Sequence, residues 1–504
     1  TEYEDIARTL IKKIDLQENI TRDSSDNITS YDLISEDYDQ GLLEKTSYFH
    51  INLSDFDGDD ATTIETTEFD DAAHSVTVKV DLQEEITRDA DDNISTYKLT
   101  TTKYESGAPQ EPSYFFVELS DYVGENAKTI KTTEYEDIAR TLIKKIDLQE
   151  DITRDSSDNI ISYNLTSQEY EAGLLEKTSW FFVELSDYVG DDASTIKTTE
   201  YDDALRSIIV KVDLQEEITR VADNISSYKL TTTKYESGAP QEPSYFFVEL
   251  SDYVGENAKT IKTTEYEDIA RTLIKKIDLQ ENITRDSSDN ITSYDLISED
   301  YDQGLLEKTS YFHINLSDFD GDDATTIETT EFDDAAHSVT VKVDLQEEIT
   351  RDANDNISTY KLTTTKYESG VPQEPAWFYV ELSDYVGENA KTIKTTEYED
   401  SVRSIIKKID TQTNITRDSS ENITGYDLTS ESYKDGVLAK TSYFHIELSD
   451  FVGDNASTIK TTEFDDSGHS VIVKIDLQEE ITRDTNDNIS TYKLTTTKYE
   501  SGVP

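Results

Sequence analysis

The sequence predicts an all-β protein built as a linear array of tandem repeats. Each repeat, of about 66 residues, reads as an antiparallel four-stranded meander or sandwich-like module, and odd and even types alternate. Three observations lead there. The segment TEYED or TEFDD places its aromatic at Tyr3, Phe69, Tyr135, Tyr201, Tyr266, Phe332, Tyr398 and Phe464, steps of 66 residues with one of 65. Val, Ile and Leu alternate with polar residues, the pattern of half-buried strands. The 31 Tyr and 16 Phe argue that the chain folds, although 31% charged against 35% hydrophobic residues would otherwise suit disorder.

The period divides the chain into copies at 1–66, 67–132, 133–198, 199–263, 264–329, 330–395 and 396–461, with a partial copy at 462–504. Residues Thr1–Ala90 recur unchanged as Thr264–Ala353, the mark of recent copying of a two-repeat unit. Such copying suits a protein whose useful property is its length.

The even copies give the elements in order. Val76, Val78, Val80, Leu82 and Ile86 are expected on one face of a first strand, with Thr77, Lys79, Asp81, Gln83, Glu85 and Thr87 on the other. Arg88-Asp89-Ala90-Asp91-Asp92-Asn93 then turns the chain, since Asp and Asn tolerate left-handed backbone and bond locally. A second strand runs through Tyr97 and Leu99 to Tyr104, and Gly107, Pro109 and Pro112 punctuate the loop after it. The third strand sets Phe115, Val117 and Leu119 against Tyr114 and Phe116, and Gly124-Glu125-Asn126 leads into a fourth, Thr129–Tyr135. In odd copies Ile6, Leu10 and Ile14 would suit one helix face, but Ile6–Leu16 aligns without gaps with the even-copy strand and is read as a strand too.

One 66-residue unit buries only about 60% of its unfolded surface. With no Cys for disulfides, stability is expected from packing between repeats. The aromatics Tyr48, Tyr114, Trp180, Tyr245, Tyr311, Trp377 and Tyr443 are suited to that, the alternative being the core of each repeat itself. A closed propeller is disfavoured, because the last copy lacks its third strand and the first has none to lend.

The formal net charge is -63, from 109 Asp+Glu against 46 Lys+Arg. It repels nucleic-acid backbones and anionic lipid, so neither is expected as a partner. Apolar runs such as SYFFVEL at Ser113–Leu119 fall well below the roughly 18 residues of a membrane-spanning helix. A Met-free chain beginning Thr1-Glu2-Tyr3 suggests a processed piece of something longer.

Three kinds of candidate site recur. Asp55, Asp57 and Asp59 around Gly58, with Asp318, Asp320 and Asp322 in the equivalent copy, alternate like part of a Ca²⁺ loop. They lack the EF-hand spacing, and the bland reading is a solvated turn. The acidic tip at Asp23–Asn27 is a weaker cation candidate and otherwise an Asx-type hairpin end. Asn27, Asn93, Asn224, Asn290, Asn356, Asn422 and Asn488 carry the N-glycosylation triplet, which copying multiplies from one occurrence.

The six His occupy two columns. His50, His313 and His445 alternate with Phe116 and Phe182 and read as packing positions. His74, His337 and His469 alternate with Arg8, Arg140, Arg206, Arg271 and Arg403 and read as partners of preceding acids such as Asp71. Arg22 and its equivalents read as charge compensation beside the acidic tip. No Cys, phosphate loop or HExxH suggests catalysis, and an active site is usually unique whereas every candidate here is multiple.

In architecture the chain resembles tandem-repeat surface proteins of microbes, such as adhesin stalks and filament or surface-layer subunits. That resemblance implies a structural, non-enzymatic segment of a larger extracellular protein, a stalk or self-assembling filament whose partners are neighbouring copies. No cofactor is expected beyond Ca²⁺. The alternative is a multivalent adhesin module holding carbohydrate or Ca²⁺ on repeated aromatic and acidic surfaces.

Overall fold

The computed structural model describes residues 1–3, 11–39, 42–105, 107–171, 173–189, 192–221, 224–236, 238–254, 257–286, 290–320, 323–352, 356–386, 389–418, 422–434, 436–452, 455–483 and 489–499. Among these there are 34 strands and no helix. The protein is all-β, and every described pairing is antiparallel.

The opening strands are β1 (Glu2–Tyr3), β2 (Ile11–Arg22), β3 (Ile28–Asp39), β4 (Leu42–Asp57), β5 (Asp60–Phe69), β6 (Thr77–Arg88), β7 (Ile94–Glu105), the short β8 (Ala108–Pro109), β9 (Ser113–Ser120), β10 (Thr129–Tyr135) and β11 (Ile143–Arg154). Each pairs with its neighbours along the chain: β1 with β2, β2 with β3, β3 with β4, β4 with β5, and β5 with β6. β6 continues to β7, β7 skips β8 to reach β9, and β9 leads through β10 to β11. The same succession repeats to Val254.

The chain divides into two units, Thr1–Lys259 and Thr260–Asp286 with Asn290–Pro504. The second unit repeats the meander on its own, from Ile274–Arg285 paired with Ile291–Asp302 to Ile472–Arg483 paired with Ile489–Lys498. Pairing does not pause at the sequence period. Positions 66 and 67 lie inside β5, and 132 and 133 inside β10, so the ladder passes from copy to copy through backbone hydrogen bonds.

Two sequence expectations change. The first strand starts at Thr77 or Ile143, after a turn of about six residues. Positions 6–10 lie outside the described residues, but their equivalents in the third copy form this turn, with Ile138 72% exposed. The second change concerns faces. Glu84 pairs with Lys98 and Thr87 with Thr96, so Glu85 and Ile86 together oppose Tyr97. This bulge has Glu85 at φ 52, and the extra residue slips the count by one. Ile86 therefore joins the face of Tyr97, Leu99 and Val117, opposite to Val80 and Leu82, and is only 5% exposed there.

The buried apolar side chains fall into three columns, represented by Ile86, Val117 and Ala127 and followed in the next copy by Ile152, Val183 and Ala193. Tyr97 and Tyr122 belong to the same layer: burial raises both hydroxyl pKa values, and Tyr122 donates to the Ile94 carbonyl. Copies depend on one another here. The Ile152 amide donates to the Lys128 carbonyl at the end of the preceding copy (3.1 Å), and Ile152 is 2% exposed.

Candidate functional site

The six-residue turn into each first strand is built on one Asp. In the third copy Asp137 accepts from the amides of Thr141 (2.8 Å) and Leu142 (2.9 Å) and from the Thr141 hydroxyl (2.8 Å), and Glu136 N bonds Leu142 O (3.0 Å). Asp71 does the same with Ala73 and Ser75. The backbone bonds to Leu142 and Thr141 hold the Asp137 pKa below the ordinary 3.8, and the Ser75 bonds do so for Asp71. A depressed carboxylate contributes stability that is present above its unfolded pKa and lost as pH falls through the folded value. In salt sufficient to screen the net charge, thermal stability is therefore expected to fall on acidification below about pH 4. Asp137→Asn should flatten that fall in the amide protection of 136–142, read by hydrogen exchange.

The residue three after this Asp has positive φ and is Arg or His. Arg140 (φ 52) reaches back over the middle of its sheet, donating to Phe115 O and Leu99 O and to Thr100 Oγ1, each at 3.1 Å. Its guanidinium also lies 5.9 Å from the Tyr114 ring centroid. Arg206 and Arg403 repeat these bonds.

Where the residue is His the surroundings change with it. His74 (φ 54) stacks on Phe69, with centroids 4.5 Å apart and planes within 9°, and its Nδ1 lies 3.8 Å from Asp32 Oδ1. His50 Nδ1 is 2.7 Å from the same oxygen, and Asn19 Nδ2 donates to Asp32 Oδ2 at 2.5 Å. The bond from Asn19 and then that from His50 lower the Asp32 pKa. His313, His337 and Asp295 form the same cluster, as do His445, His469 and Asp427. All six His of the chain are thus gathered around three carboxylates. Neither His column is mere aromatic packing or compensation of the nearest acid.

A signal in the sequence could have found this grouping. Positions 32, 50 and 74 hold Asp, His and His; the third copy has Asn164, Phe182 and Arg206, and even copies have Lys98, Phe116 and Arg140 or their like. The three change together. The bulge residue follows suit, since Asn19 meets Asp32, Asp151 meets Asn164 (2.9 Å) and Glu85 meets Lys98 (2.5 Å).

The other candidates lie elsewhere. Asp55 and Asp318 have positive φ, 50 and 53, and their carboxylates accept from Thr63 (3.0 Å) and Thr326 (2.9 Å). Asp57 and Asp320 end strands that turn back at Asp60 and Asp323, and Asp59 lies in the first of those turns. Asp322 lies outside the described residues. Among the described residues no group of three or more His or acidic side chains is arranged to hold a metal ion. Asp60 and Asp323 instead face Arg88 Nε (3.7 Å) and Arg351 Nη2 (3.1 Å) of the following copies.

Asn27 donates through Nδ2 to Asp23 (3.1 Å), and Asn93, Asn290, Asn356 and Asn422 repeat the bond to their own tip Asp. Asn159 makes it too, although Ile161 removes the glycosylation triplet there, so this bond does not depend on the triplet. Asn224 opens a strand after the shortened tip, and Asn488 lies outside the described residues. The tip Arg caps the turn, with Arg22, Arg88 and Arg154 donating to the carbonyls of Asp26, Asp92 and Asp158.

The third-strand aromatics meet the terminal aromatic of the next strand: Tyr48 pairs with Phe69, Tyr114 with Tyr135, Trp180 with Tyr201, Tyr311 with Phe332, Trp377 with Tyr398 and Tyr443 with Phe464. Tyr245 sits opposite Thr231 in the same position. These cross-strand pairs lie within one hairpin, under the Arg or His of the turn.

No protein-family model and no curated protein matches the chain. Among solved structures, one described as "Crystal Structure of TcdB2-TccC3 without hypervariable C-terminal region" aligns at 9% identity with a TM-score of 0.13, over 94% of this chain and 32% of that one. A likeness this weak carries no argument about fold or function, and the chain spans about a third of that protein's length.

Proposed function

We propose that the chain is a structural, non-enzymatic segment of a larger extracellular surface protein. In this reading it is a linear array of four-stranded, roughly 66-residue repeats that serves as a stalk or a self-assembling filament. The observation that carries it is the join between copies: the Ile152 amide donates to the Lys128 carbonyl of the preceding copy, and Ile152 is 2% exposed beneath it. Burial shared between neighbours favours addition of copies, as expected when nearest-neighbour interfaces supply the stability. Recurrence of every polar cluster also suits a repeated scaffold better than a single reaction centre.

Negative-stain microscopy of the native material should show rods or filaments that persist in chelator; compact particles would reject the linear array. Collapse in chelator would make Ca²⁺ a structural component. Glycan binding lost on changing Trp180 and Trp377 would favour the multivalent binding module instead.

A further inference from the structure

All six histidines converge on three carboxylates. Asp32 Oδ1 can only accept, so His50 Nδ1, 2.7 Å away, holds a proton. His50 Nε2 lies 3.1 Å from Asn52 Oδ1, and the Asn52 amide is oriented by its Nδ2 donating to Glu65 Oε1 at 3.1 Å. Both ring nitrogens of His50 therefore face acceptors, Asp32 and Asn52, an arrangement that a doubly protonated ring satisfies. In the fifth copy Asp295, His313, Asn315 and Glu328 repeat the chain at 2.7, 3.1 and 3.4 Å. The seventh copy keeps His445 on Asp427 and places Glu447, paired with Lys460, where Asn52 and Glu65 stand.

The second His of each cluster belongs to the turn that enters the next copy. The backbone of that turn is the same with His or Arg: His74 N bonds Asp71 O at 3.0 Å, and Arg140 N bonds Asp137 O at 2.9 Å. Only the anchor differs. Arg140 is charged at any physiological pH and ties its turn to Leu99, Thr100 and Phe115. His74 has Asp32 as its counterion across the sheet when the imidazole is protonated.

We infer that the three His–Asp–His clusters are proton-binding latches, which hold the turns at 70–76, 333–339 and 465–471 when protonated and release them when deprotonated. The Arg copies hold the equivalent turns at every pH. The groups facing His74 are Asp32 on β3, Asp71 in its own turn and His50 on β4, with Asn19 and Glu65 bonded to those partners. Of the carboxylates, Asp32 and Asp71 are held below the ordinary range by their hydrogen bonds and so offer negative charge to a protonated ring.

Hydrogen exchange on the whole chain, in chelator and corrected for intrinsic rates, tests this. The two identical segments, Thr1–Ala90 and Thr264–Ala353, give the same peptides and the same expectation. Between pH 6 and 8, amide protection in 70–76, 333–339 and 465–471 should fall about tenfold relative to the Arg turns 136–142, 202–208 and 399–405. Equal changes in both sets would overturn the latch. Combined Asp32→Asn, Asp295→Asn and Asp427→Asn should abolish the difference in pH response, and its persistence would also overturn the proposal.

Discussion

Ile152→Ala is expected to cost about 2–5 kcal/mol, while Ile138→Ala, the same change in the exposed turn before the strand, should cost less than about 1 kcal/mol. The two sites differ in cover: 2% against 72% exposure. Deleting the buried side chain loses its transfer energy and leaves a cavity between the bulge of β11 and the Ala127–Lys128 segment, whose carbonyl holds the Ile152 amide. Deleting the exposed one opens no cavity. A repeat array need not unfold in one step, so the cost is best read from amide exchange around 145–165 together with urea denaturation. Equal costs at both positions would mean that the burial of Ile152 contributes no stability. Ile283→Ala, also at a 2% exposed site, should match Ile152→Ala.

Arg140→His should destabilise its turn by roughly as much as Arg140→Ala, about 2 kcal/mol, because the Leu99 and Phe115 carbonyls lose a charged donor. Lys98 stands where Asp32 would supply a counterion, so the imidazole gains nothing in return. Adding Lys98→Asp and Phe116→His rebuilds the constellation of the first copy. With Glu85→Asn to complete it, the combined variant should recover most of the loss below pH 6. The coupling between substitutions is the measured quantity, since contacting groups are not additive. Additive losses at pH 6 would show that the joint change of these columns reflects ancestry rather than contact.

Much of this was legible in the sequence. The strand type, the hairpin tips at Asp23–Asn27 and Asp89–Asn93, and the turn at Gly124 follow from local chemistry, and the structure places strands around each. Ile86 was misplaced because one residue at positive φ shifts every later side chain to the opposite face, and Glu85 gives no hint of such a conformation. Glycine or Asn marks a left-handed position; a Glu stabilised there by Lys98 does not. The His–Asp–His clusters were visible only as columns that change together. Their members lie 18 and 24 residues apart in sequence, and a comparison within one copy gives no reason to join them.

The sequence by itself determined that the chain is β, that it repeats, and that strands such as the first of each even copy carry one apolar and one polar side. Those follow from side-chain period and turn chemistry, which are local. Only the tertiary structure decided which sides share a face. Val80 and Leu82 on β6 lie opposite to Tyr97 and Leu99 on β7, while Phe115 and Val117 on β9 follow β7, so neither face of the ladder is wholly apolar. Register is fixed by bulges and by pairing across turns, and a shift of one residue exchanges the faces at no local cost. The same register brings Asp32, His50 and His74 together, and with them the charges that a list of residues leaves scattered.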